Sequence, residues 1–118
     1  MLLPDKQIIA VDFDGTLAET EYPTIIAPIS EIIDFIKSLK AKGNIVILWT
    51  CRHNQPLLDA VKWCKEQGII FDYINQNVPE LIEQYGECRK IAADMYIDDK
   101  AINICELIGL LGLVGRIK

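Results

Sequence analysis

Two carboxylates, Asp12 and Asp14, flank Phe13, and a second pair, Asp98 and Asp99, lies far downstream. Each pair directly follows a short apolar run. If the ends of those runs meet, three or four negative charges converge, and a cation or a proton must compensate them. Hard oxygen donors with no His or Cys beside them favour Mg²⁺. Other polar residues follow the remaining apolar runs: Thr50, Arg52 and His53 after one, Asn75 and Asn77 after another. Thr50 offers a hydroxyl and a backbone N–H to a phosphate oxygen. Arg52 is close enough to it to reach a substrate anion. His53, Asn75 and Asn77 are polar groups in the same kind of position, with no further assignment. Lys90 precedes the second acid pair, and Lys100 follows it.

These residues need a frame that brings run ends together. Residues 7–13 (QIIAVDF), 44–50 (NIVILWT), 69–74 and 94–97 read as short buried strands. Between them, Ile29, Ile32, Ile33, Ile36 and Leu39 recur at helical spacing, with Ser30 as the expected N-cap and Gly43 as the stop. Asn54 is expected to cap a second helix whose apolar face is Leu57, Leu58, Val61 and Cys64. Pro79–Tyr85 reads as a short helix, and 102–113 as a last, mostly apolar one. Residues 19–28 contain two prolines and read as a loop. Strands alternating with helices imply right-handed parallel crossovers. The expected fold is α/β: a three-layer, Rossmann-like arrangement with a parallel sheet of 4–5 strands. Ligands of such sheets bind beyond the carboxyl ends of the strands, where all the polar residues above except Lys90 fall.

The chain has 118 residues, which fits one domain over 1–118. With 12 Lys plus Arg against 17 Asp plus Glu, the net charge is −5. That balance, without a basic run, argues against a general nucleic-acid or membrane binder. The apolar stretch 102–114 is interrupted by Asn103 and Glu106 and is shorter than the ~20 residues that span a bilayer. Residues 1–7 show no charged-then-apolar export pattern, so a cytoplasmic location is expected. The four cysteines, 51, 64, 88 and 105, form no CxxC pair; reduced, mostly buried thiols are expected rather than a zinc site or disulfides.

Asp12-Phe13-Asp14-Gly15-Thr16, then Thr50, then Lys90, then Asp98-Asp99 resembles the haloacid dehalogenase-like hydrolase superfamily. Within it the chain is similar to the small capless hydrolases of bacteria and phages, through ILWTCR, FDYINQN and ADMYIDDKA. The resemblance covers residues 7–100. It implies a Mg²⁺-dependent phosphomonoester hydrolase. Asp12 would be the nucleophile that becomes an aspartyl-phosphate, and Asp14 the acid and then the base. Thr16 would brace the turn. Thr50 and Lys90 would hold phosphoryl oxygens, with Lys90 also offsetting Asp12. Asp98 would ligate Mg²⁺ with the Asp12 carboxylate and the Asp14 carbonyl, and Asp99 would ligate through water or orient Lys90. Lys100 is the substitute for Lys90.

The segments between motifs leave about 15 residues for a flap and none for a cap domain. An open site suits a large phosphorylated substrate, of a class the motifs do not distinguish, or a site completed by a second copy. The last apolar helix would serve either as that contact or as core. A response-regulator receiver is rejected because its acid pair comes early and its phosphate-accepting Asp ends the third strand. An EF-hand is rejected because Gly15 falls at loop position four and a strand precedes Asp12. The alternative that remains is a non-catalytic phosphate- or metal-binding protein that keeps the hydrolase fold.

Overall fold

The computed structural model describes residues 6–101 and 107–109. β1 (Ile8–Val11) is followed by a hairpin of β2 (Ala18–Glu21) and β3 (Thr24–Pro28). Next come α1 (Ser30–Ala41), β4 (Ile45–Leu48), α2 (Asn54–Glu66), β5 (Tyr73–Ile74), α3 (Pro79–Tyr85) and β6 (Met95–Ile97). Four strands form one sheet in the order β5-β4-β1-β6, and every pairing within it is parallel. The expected Rossmann-like class is therefore observed, with four strands.

Alternation along the strands divides the interior into two cores. Ile9, Val11 and Phe13 face one side with Val46 and Leu48. There Ile33 and Ile36 of α1 and Ala60 and Cys64 of α2 close over them. Ile8, Ala10 and Ile47 face the other side, against Val78, Leu81 and Ile91 around α3. The sheet is thus covered on both faces, which explains why β1 and β4 are apolar without interruption. No insertion among the described residues exceeds the β2–β3 hairpin, and no described helix is long and apolar enough to cross a membrane.

Several local expectations are corrected. Residues 19–28 form a hairpin rather than a loop. The β-branched Thr20, Thr24 and Ile25 favour extended chain, Pro23 occupies the turn, and Pro28 ends its strand, where a missing N–H costs least. Ile29, not Ser30, is the N-cap of α1, and His53, not Asn54, is that of α2; neither helix start has a side-chain capping bond. Leu58 is exposed, and Ala60 takes the buried place on α2. The third strand shortens to two residues. Cys51 and Cys88 are exposed free thiols, while burial pushes the Cys64 thiol up to about 12. Gly43 stops α1 with φ +90°, as expected. The last helix lies mostly outside the described residues.

A candidate phosphate and metal site

Backbone ladders run past the strand ends and fix the site. Asp12 N–H donates to the Ile97 carbonyl (3.0 Å) and Trp49 N–H to the Val11 carbonyl (2.9 Å). The tips of β4, β1 and β6 are therefore held side by side. Strand alternation places Asp12 on the side of Ala10, and Asp98 on the side of Tyr96. Oxygens of Asp12, Asp98 and Asp99 all lie within 4.8 Å of one another. They line an open cavity of about 430 Å³ together with Asp14, Trp49, Thr50, Cys51 and Lys100.

Electrostatics separates the two acids of the first motif. Burial raises the Asp12 carboxyl to about 6, opposed by a hydrogen bond at Phe13 and reinforced by the charges of Asp98, Asp99 and Asp14. Asp14 is driven the opposite way. Arg52 Nε and Nη2 donate to its two oxygens at 2.9 and 2.8 Å, and the Thr20 hydroxyl donates at 2.8 Å. Those donors, Arg52 first, hold the Asp14 carboxyl below the usual carboxylate range.

Arg52 itself is 1% exposed, the largest fully buried side chain described. Its guanidinium lies 4.8 Å from the Phe13 ring centroid and 5.0 Å from that of Tyr22 on the hairpin, and Nη1 donates to the Pro56 carbonyl at 3.1 Å. The expectation that Arg52 reaches a substrate anion is thus corrected: the side chain is fully buried, and three of its five N–H groups donate to Asp14 and Pro56. It misleads in sequence because an arginine just past a strand is ordinarily solvated, and its partner is 38 residues away.

Thr50 also differs from expectation. Its N–H is not free but donates to Asn75 Oδ1 at 2.8 Å. Its hydroxyl oxygen accepts from Arg52 N–H at 3.1 Å, which leaves the O–H hydrogen for a ligand. Asn75 acts on Thr50, then, from a left-handed backbone position of φ +52°. Asn77, 5% exposed, accepts from Ala92 N–H at 2.6 Å and donates to the Lys90 carbonyl at 3.3 Å, so it anchors the segment that carries Lys90. His53 is exposed, with Nδ1 3.4 Å from the Cys51 carbonyl. Thr16 is buried, and its hydroxyl has no partner among the described residues; its N–H, bonded to the Phe13 carbonyl, supports the turn.

The two lysines occupy different places. Lys100, the substitute for Lys90, pairs with Asp99 at 3.0 Å and lines the cavity, with its side chain 85% exposed. That pairing holds the Asp99 carboxyl below its ordinary range. Lys90 is not in the cavity lining. Its ammonium stands 5.9 Å from the ring centroid of Tyr96, whose ring in turn neighbours that of Trp49.

Gly15 is required twice over. Its φ is +78°, and a β-carbon there would collide with Asp99 Oδ2. Gly15→Ala is expected to destabilise the fold by about 1–2 kcal/mol and to displace Asp99. Thermal melts with and without Mg²⁺ check this, with a smaller Mg²⁺-induced rise in Tm than in the parent as the expected result.

No family model matches the chain, and no curated protein matches it. A solved structure does: a conserved protein coded by a locus from Bacteroides thetaiotaomicron, at 32% identity and TM-score 0.74, covering 95% of this chain and 94% of that one.

Proposed function

We propose that this chain, which belongs to the same family as that conserved Bacteroides thetaiotaomicron protein, is a Mg²⁺-dependent phosphomonoester hydrolase that works through an aspartyl-phosphate. The observation that carries the reading is the convergence of Asp12, Asp98 and Asp99 within 4.8 Å beside Thr50 in one cavity. Three carboxylates that close repel one another, and an all-oxygen donor set suits a small hard dication. Asp12 and Asp98, with the Asp14 carbonyl, would hold the ion, and Asp99 would hold it directly or through water. Bound there, it would neutralise the acids and polarise a phosphoryl oxygen.

The chain's own groups then divide the work. An Asp12 oxygen attacks phosphorus as the ester P–O bond breaks. The Thr50 hydroxyl donates to a phosphoryl oxygen. Lys90, on its flexible stem, and Lys100, beside Asp99, are the cations that offset the incoming charge. Asp14, ionised and clamped, is suited to take a proton from the water that cleaves the aspartyl-phosphate. Its earlier role, giving a proton to the leaving oxygen, requires substrate: a phosphoryl dianion beside it raises its proton affinity against Arg52. The work would be done in the cytoplasm, on a small or large phosphorylated substrate.

The test is hydrolysis of p-nitrophenyl phosphate. Turnover is expected with Mg²⁺, is expected to vanish with a chelator, and should return when Mg²⁺ is restored in excess. Turnover that is indifferent to the chelator, or no turnover with any phosphomonoester, overturns the reading.

A further inference from the structure

Trp49 and Tyr96 are exposed aromatics, 37% and 40%, with ring centroids 5.6 Å apart and planes tilted by 53°. Their position follows from the sheet. Ala10 pairs with Tyr96, and Trp49 is hydrogen-bonded to Val11 on the other side of β1. Both rings rise from the same face of the sheet, and the small Ala10 side chain between them lets them meet diagonally across the central strand. Lys90 lies over Tyr96, and of the two rings Trp49 is the one that lines the acidic cavity, immediately before Thr50. A large indole left over a third open in the lining of this cavity is apolar surface that a ligand could cover.

From this geometry we infer that Trp49, with Tyr96 packed against it, is the leaving-group platform of the site, taking phosphomonoesters whose leaving group carries a flat aromatic ring of nucleobase size. The inference rests on the phosphatase reading. A phosphoryl group between Asp12 and Thr50 shares its cavity with Trp49, the large apolar side chain of the lining, so the group esterified to it has that ring to rest on. A flat π-system gains most from such a surface, because it stacks with little loss of its own conformational freedom.

Adenosine 5′-monophosphate and ribose 5-phosphate release the same kind of primary alkoxide and differ in the ring. With Mg²⁺ present, kcat/KM is expected to be roughly tenfold or more higher for the nucleotide, the size of one good stacking contact. Trp49→Leu should bring that ratio close to one, and Trp49→Phe should restore most of it. The comparison in the parent protein needs no variant to fold. A parent ratio near one, with ribose 5-phosphate turned over, overturns the platform and leaves the hydrolase standing. A high ratio that survives in a folded Trp49→Leu also overturns it. No turnover of either compound or of p-nitrophenyl phosphate overturns the hydrolase, and the platform with it.

Discussion

Asp12→Asn is expected to abolish phosphomonoester turnover, by on the order of 10⁴-fold or more, while the protein becomes more stable in the absence of metal. The two effects have one cause. Asp12 is placed where burial and three neighbouring carboxylates disfavour its charge, raising its carboxyl to about 6. An acid whose folded pKa lies above its unfolded value costs stability once it is ionised. The cost is absent below about pH 4, grows between about 4 and 6, and is complete above that. The full shift corresponds to about 3 kcal/mol, but the side chain is only half-buried, and screening reduces this to on the order of 1 kcal/mol. The amide removes the cost, so metal-free Asp12→Asn should melt about 4 °C higher than the parent at pH 7.5 and no higher at pH 4. Added Mg²⁺ should stabilise the parent by mass action and the variant much less. Thermal melts over pH, with and without Mg²⁺, read all of this. A variant that melts lower than the parent at pH 7.5 without metal would show that Asp12 is a structural acid, and parental turnover would remove it as nucleophile.

That the acids of β1 and β6 would meet is legible from the sequence, because apolar runs alternating with helices force a parallel sheet and such sheets collect polar residues at one edge. What the sequence conceals is the partner of each polar group. Thr50 looks free because Asn75, which accepts from its N–H, lies 25 residues on. Arg52 looks solvated because neither Phe13, Tyr22 nor Asp14 is near it in the chain, yet all three surround it. The hairpin escapes because Pro23 and Pro28 read as breakers, although both fall where a strand needs no donor. Lys90 and Lys100 differ in surroundings, not in type: one rests on Tyr96, the other pairs with Asp99. Spacing along the chain points to the acids that converge, whereas contacts over long separations decide how they are held.

Arg52→Ala is expected to cost about 3 kcal/mol of stability and to lower kcat/KM roughly 100-fold, although Arg52 touches no substrate. Its side chain is fully buried and that of Asp14 is 31% exposed, so removing the guanidinium leaves a carboxylate partly desolvated and unpaired, toward the lower end for a buried pair. It also removes the stacking with Phe13 and Tyr22 that ties the hairpin to the site. Arg52→Lys keeps the charge but not the two-pronged bond, and should recover much of the stability and only part of the rate. The mark of a positioning residue is in the pH profile. Arg52 holds the Asp14 carboxyl low; without it that carboxyl ionises at higher pH, so the acid limb of kcat, where the ionised Asp14 that activates water on the aspartyl-phosphate is lost, should move up. In an Asp14→Asn background Arg52→Ala should cost little further rate, since both act through one carboxylate. Fully additive losses together with an unmoved acid limb would mean that Arg52 supports the fold alone. Coupled losses would make the hairpin part of the reaction's scaffold, because Thr20 and Tyr22 hold the same pair from the other side.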